Sequence, residues 1–254
     1  ALAIAAVAGF PLASGNPYYI HLVETIMIYA IVLFGLDIVV GYTGQVSLGH
    51  AGLFGIGAYT AGVLILKLDA PVYATLPAAI AVAAVFGAML ALPALRVTGP
   101  YLAMVTLAFG TIIQILINEM TFLTEGPMGI TLTKPTLFGH QLDETEFYWL
   151  VMVCLVAALI FVHRVLHSQL GRAFEALRGS PVASDCMGVS VYRYKVYAFM
   201  LSGALCGMAG VLLTAQVGAG TPAAGANMLL DSIAAIVMGG TALSGGIGGP
   251  QRTI

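Results

Sequence analysis

Charge is what this chain has least of. Nine Lys or Arg and eleven Asp or Glu stand among 254 residues, so 8% of the chain is charged against 60% hydrophobic. Soluble domains carry about 25% charged residues, and a soluble fold of this length needs a charged skin that so few side chains cannot make. With a net charge of −2 there is no basic surface for nucleic acid, which is excluded as a partner. Cysteine is equally sparse. Cys154, Cys186 and Cys206 are odd in number and scattered, with no CxxC pair, and read as free thiols rather than as a disulfide frame or a metal site. No GxxxxGK[ST] loop occurs, so the sequence offers no phosphate cradle for ATP. A starting Met is missing too. The chain opens at Ala1 inside an apolar run and stops at Ile254, which reads as part of a longer chain, and no signal peptide can be read from such a start.

What the sequence has is long apolar runs. They are about 20 residues each, the length a helix needs to cross a hydrocarbon core of ~30 Å, and they lack the ~10-residue alternation of a membrane β-barrel. The expected fold is an all-α polytopic transmembrane helical bundle in one domain, 1–254. Spans are predicted at 18–40, 50–66, 72–95, 99–119, 147–166, 195–217 and 227–245, with the end of another at 1–12. That makes about eight, with a further span expected after Ile254. Orientation follows from Lys and Arg. The connection 164–195 holds Arg164, Arg172, Arg178, Arg193 and Lys195, whereas 119–146 holds five acidic residues and one Lys134. The first is therefore cytoplasmic and the second, with its loop 120–146, lies outside.

One stretch breaks the apolar pattern. Gly41–Tyr59, GYTGQVSLGHAGLFGIGAY, contains six glycines with Gln45, Ser47 and His50. Irregular backbone is tolerated at membrane depth only where it is buried in protein or lines a cavity, so a polar event is expected here. His50 either faces a pathway with Gln45 and Ser47 or bonds a carbonyl freed by the break. The charge count puts residues 41–50 toward the cytoplasmic side, which favours a gate or a broken-helix junction over a first substrate contact. A faint echo of the motif at Gly239–Gly246 suggests an internal repeat.

Thr111, Gln114 and Asn118 form a polar stripe on one helix, either lining the pathway or bonding a neighbouring helix. Gly203, Ala204, Gly207 and Gly210 mark a close helix contact. Ionisable groups inside spans are functional candidates by default. Glu24, Asp37 and Asp231 qualify, although each lies close enough to a span end to reach the headgroups. His163 and His167 have a spacing that two metal ligands could use, but no third ligand is in view.

The cytoplasmic stretch 168–194 is too polar to span and too long for a turn. Arg172 to Arg178 has helical character. Ser180 and Pro181 then suit the N-cap and first position of a second short helix, with Asp185 nearby, and Gly188 suits its end. Two short helices on that face make either a docking surface or a loop that only sets topology.

The sequences GYTGQVSLGHAGLFGIGAYTAGVL, TGPYLAMVTLAFGTIIQILIN, LTEGPMGI and LGRAFEALRGSPVASDCMGVSVYRYKVYAFMLSGALCGMAGVLL together resemble the permease subunit of bacterial ABC importers for branched-chain amino acids. Beyond residue 213 the chain looks more like the ribose and simple-sugar permeases of the same superfamily. The resemblance implies a multi-pass protein of the bacterial inner membrane, in contact with lipid, that works with a second permease subunit. It implies two cytoplasmic ATP-binding subunits that carry ATP and Mg, and a periplasmic or lipid-anchored solute-binding protein. This chain itself would be no enzyme and hold no cofactor or metal. Residues 168–194 would be the coupling segment, with Arg172, Glu175, Arg178, Asp185 and Gly188 as its docking residues. Glu175-Ala176-Leu177 fits the EAAxxxG pattern of many such permeases only loosely, because Gly179 comes too early. The substrate pathway or gate would draw on Gln45, Ser47, His50, Thr111, Gln114 and Asn118. The competing classes are a stand-alone channel or secondary transporter, for which deep charges are few, and an intramembrane enzyme, for which only Ser47 with His50 comes close.

Overall fold

The computed structural model describes residues 17–68, 71–124, 126, 129–131, 136–137, 140–141, 143–221 and 224–238. Ten α-helices are described: α1 (Pro17–Leu36), α2 (His50–Leu68), α3 (Val72–Ala94), α4 (Pro100–Glu119), α5 (Thr121–Thr124), α6 (Glu144–Leu166), α7 (Gln169–Gly179), α8 (Pro181–Cys186), α9 (Val191–Val217) and α10 (Ala224–Met238). A π-helical turn, Asp37–Tyr42, continues α1. Six of these segments are long and apolar enough to cross a membrane. The span predicted at 227–245 corresponds to α10, of 15 residues. Its remainder, the span at 1–12 and the Gly239–Gly246 echo lie outside the described residues.

Two spans, α6 and α9, begin three or four residues earlier than hydropathy predicts because their helices run past the apolar stretch. Asp143 and Glu146 form a reciprocal capping box that starts α6 at Glu144, satisfying two amide donors left over at any helix start. Likewise α9 begins at Val191 and carries Arg193 and Lys195 in its first turns.

The long helix α9 and the α1–π segment form the centre. Of their most apolar stretches 67% and 72% are buried, against 22% for α4 and for α6. α9 packs on α3, α2 and α1, α6 on α1, and α4 and α10 on α2. Lipid is as apolar as Leu, so close van der Waals fit rather than exclusion of water must hold such helices together. The predicted small-residue face of α9 supplies that fit. A Cβ on Gly207 would stand 3.0 Å from the Ala79 carbonyl oxygen, and one on Gly57 would come within 2.5 Å of Gly207 Cα. Phe34, Tyr148, Phe174 and Phe199 are fully buried in the core of the bundle.

The two ends of the bundle differ. At the basic end, α7 packs on α6, α9 and the π-helical turn, and α8 follows it. At the opposite end the connection after α5 is not plain loop. Ile130–Thr131 (β1) pairs antiparallel with Ala219–Gly220 (β4), and Thr136–Leu137 (β2) pairs with His140–Gln141 (β3). Ile130 is 1% exposed and its side chain covers Gly62 of α2, while the Tyr59 hydroxyl donates to the Gly220 carbonyl at 3.1 Å.

Candidate functional site: the broken helix and its inner contact

The break between α1 and α2 is buried. Asp37–Tyr42 winds as a π-helix, a form that occurs mostly as bulges and often at functional sites. Its last turn is closed by Thr43 N–H donating to the Ile38 carbonyl at 3.3 Å and Gln45 N–H to the Val39 carbonyl at 3.1 Å. Thr43 Oγ1 also donates to the Val39 carbonyl, at 2.6 Å. Residues 44–48 then leave helical geometry, and burial alternates along them: Thr43, Gln45 and Ser47 are buried while Gly44, Val46 and Leu48 are only partly so.

Neighbouring helices satisfy the backbone freed by the break, as its depth requires. Leu48 N–H donates to Thr106 Oγ1 of α4 at 2.9 Å. Gly49 N–H lies 3.4 Å from Ser47 Oγ, and Gly52 N–H donates to the Gly49 carbonyl at 3.1 Å. His50 Nε2 is 2.6 Å from Ser202 Oγ of α9. Both polar side-chain atoms of Gln45, Nε2 and Oε1, are buried and have no hydrogen-bond partner among the described residues.

The depth of the segment differs from expectation. Only its first half stays beside α7, where Gly41 meets Arg178. His50 is level with Ser202, near the middle of α9, so the polar run climbs from the α7 end toward the middle of the bundle. Gly52 sits against Gly110, the middle of α4. Between these helices and α10 lies a cavity of about 280 Å³ lined by Leu48, Gly52, Gly110, Thr111, Gln114 and Leu230, among others. Thr111 and Gln114 of the predicted stripe therefore face one space with the start of α2. Asn118, half-buried one turn further out, does not line it. Nor do Gln45, Ser47 and His50: His50 turns away to α9. A second cavity, about 370 Å³, is larger but almost wholly apolar, so the first fits a polar solute better.

At the inner end α7 is a surface helix. Ser168 caps it by accepting from Leu170 N–H at 3.1 Å, and Gly171, Ala173, Phe174 and Leu177 are its buried face. Ser180 Oγ accepts from Ala183 N–H at 3.2 Å, Pro181 opens α8, and Gly188 follows its end at φ +82°, as the sequence predicts. Arg172, Glu175, Asp185 and Gly188 are exposed. Arg178 is not aligned with them. It is half-buried and reaches inward, its Nη1 donating to the Gly41 carbonyl at 3.4 Å.

The ionisable candidates divide. Glu24 and Asp37 are each 1% exposed and do not reach headgroups. Gln216 Nε2 donates to Glu24 Oε2 at 3.1 Å, and His21 Nδ1 lies 3.4 Å from the same oxygen, a cluster that sequence reasoning missed because its partners are far apart in the chain. Asp231 is exposed. His163 and His167 are exposed, with ring centroids 4.1 Å apart. No three His, Cys, Asp or Glu gather as a metal site among the described residues.

Residues 18–250 match the family model described as "Branched-chain amino acid transport system / permease component". The high-affinity branched-chain amino acid transport system permease protein LivM of Escherichia coli is 39% identical over 221 residues, covering 77% of this chain and 52% of LivM. The ribose import permease protein RbsC of Escherichia coli is 29% identical over 240 residues, 90% of this chain and 70% of RbsC. The xylose transport system permease protein XylH of Haemophilus influenzae is 39% identical over 98 residues, 39% of this chain and 26% of XylH. No solved structure matches. The chain spans about half the length of the LivM proteins it matches. With a family model covering most of its length and six helices fit to cross a membrane, this multi-pass chain belongs to the permease components of branched-chain amino acid transport systems.

Proposed function

We propose that this chain is the membrane-spanning subunit of an ATP-driven importer in the bacterial inner membrane, with branched-chain amino acids as its leading substrate class. A soluble or lipid-anchored binding protein delivers the solute to the outer face, a second permease subunit completes the pathway, and two cytoplasmic subunits bind and hydrolyse ATP. Hydrolysis and its Mg belong to those partners. α7 and α8, through Arg172, Glu175, Asp185 and Gly188, make the docking surface. The break at 41–50 is the gate, and Thr111 and Gln114 contact the solute in the cavity beside it.

The observation that carries this reading is the pair of buried polar atoms without partners at the break, on Gln45. Buried polar groups are nearly always paired. An arrangement that leaves two unpaired at one helix break is poised to pair them in another conformation, as alternating access requires. Ser47, which holds Gly49, moves with that rearrangement, and Asn118 is assigned to helix contact rather than to the pathway.

A sugar-type solute is the second reading, favoured by the likeness to the ribose import permease over 90% of the chain. The test is uptake into liposomes by the full-length protein with its genetic neighbours. Uptake of leucine, isoleucine or valine that needs ATP and the binding protein supports the first reading, and uptake of ribose in its place supports the second. Transport by this chain alone without ATP would make it a channel or secondary transporter and sink both.

A further inference from the structure

We infer that Arg178 is a positioning residue that transmits movement of the docking helix to the broken helix 37–50. The inference rests on the permease reading above and adds a route through the chain's own residues.

Three observations converge on it. α7 presents two faces: Arg172 and Glu175 point to solvent, where a cytoplasmic partner can reach them, whereas Arg178 points back into the bundle. Its contact falls at the break rather than on a regular helix. The guanidinium donates to the carbonyl of Gly41, within the π-helical turn. The stem covers Gly44, where an added Cβ would stand 3.1 Å from Arg178 Cγ. Gly44 has φ +66°, a left-handed conformation that costs other residues about 1 kcal/mol or more. The bare backbone at the turning point is thus held by one side chain of the helix below.

Both ends of this contact are mechanically definite. Phe174 and Leu177 are buried at 0% and 2% exposure, and Gly171 packs directly on the Leu166 carbonyl, so α7 moves as a unit with the end of α6. From Gly44 the non-helical run leads to Ser47 and to His50, fixed on Ser202. A shift of α7 imposed from outside therefore reaches the break through Arg178 in one step. Guanidinium geometry suits the task, since its fixed fork holds a direction that a flexible ammonium does not.

The experiment uses the full-length complex with its ATPase subunits and binding protein in liposomes. It compares wild type, Arg178→Ala, Arg178→Met and Arg178→Lys, measuring ATP hydrolysis, uptake per ATP, and backbone hydrogen exchange at residues 41–50 with and without nucleotide. Met keeps a stem on Gly44 without a donor, and Lys keeps a charge without the fork. We expect the ATPase subunits to stay bound in every variant. Uptake per ATP falls roughly tenfold in Arg178→Ala, within the range of an allosteric coupling, less in Arg178→Lys, and the nucleotide-dependent change in exchange at 41–50 disappears in Arg178→Ala. Should Arg178→Ala not assemble, Arg178→Met carries the same expectation. Wild-type uptake per ATP with an unchanged exchange response overturns the inference, and so does loss of the ATPase subunits, which would make Arg178 a docking contact. If the wild-type complex shows no ATP-dependent uptake, it is the permease reading that fails.

Discussion

His50 Nε2 stands 2.6 Å from Ser202 Oγ, joining the first residue of α2 to the middle of the longest helix. Both side chains are buried, so removing one takes from the other a hydrogen bond that water cannot replace. His50→Ala should destabilise the protein by about 1–3 kcal/mol, the usual cost of orphaning a buried polar group. Ser202→Ala should cost a similar amount, and the double variant much less than the sum. Thermal unfolding of the four proteins in detergent checks this. Strict additivity would mean the two side chains do not act on each other.

The seam between α2 and α9 should be intolerant of even one methyl. Gly57→Ala places a Cβ against the Gly207 backbone, which cannot move aside like a side-chain tip. An overpacking cost of about 1–3 kcal/mol follows, read as lower thermal stability and lower yield of monodisperse protein. Gly55→Ala, two residues earlier, would meet only Ile117 Cδ1 at 3.5 Å and should stay within about 0.5 kcal/mol of wild type, as surface-like changes do. Equal effects of the two would contradict the packing described.

Much of this was legible beforehand. The glycines at 203, 207 and 210 announced a close contact, and Ser180-Pro181 with Gly188 announced α8, because each signal is local. The break at 41–50 was legible as well, since glycine and polar residues interrupt an apolar run there. Its depth was not. Charge counting fixes the side on which a span ends but not how far a non-helical stretch travels, and such a chain covers up to about 3.3 Å per residue against 1.5 Å in a helix. The inward turn of Arg178 was equally hidden. On sequence it matches Arg172 and Glu175, and only the packing of α7 on the π-helical turn separates them. Thr106 gave no signal, because a threonine on an apolar helix looks the same whether it bonds its own helix or the Leu48 amide.

That amide supplies a third prediction. Thr106→Val keeps the shape but leaves Leu48 N–H, 2.9 Å from the hydroxyl, without an acceptor at depth. The expected cost is about 1–3 kcal/mol, with hydrogen exchange at Leu48 accelerated more than at residues 60–65. Unchanged exchange at Leu48 would show that the amide is satisfied otherwise.

Tyr59→Phe tests the outer clasp. Loss of the hydroxyl from the Gly220 carbonyl should cost about 0.5–1.5 kcal/mol and speed proteolysis at Ile130–Thr131, the strand that pairs with Ala219–Gly220. Cleavage at the wild-type rate would detach Tyr59 from any role in closing that end.

Ser180→Ala should act locally. Removing a cap costs about 1 kcal/mol, and the six-residue α8 has little else within itself to hold it, so exchange across 181–186 should rise. Global unfolding should barely change, while Ser180→Asp, also a good cap, should preserve protection. A large loss of global stability would mean that Ser180 supports the bundle rather than this one short helix.

The outer clasp also constrains biosynthesis. Ile130–Thr131 finds its partner only at Ala219–Gly220, so the strand pair cannot close until α9 has been threaded through the bilayer. Until then the Tyr59 hydroxyl has no Gly220 carbonyl to meet. The end of the bundle that carries this strand pair is therefore its late-assembling end, sealed only when the ribosome has passed residue 220.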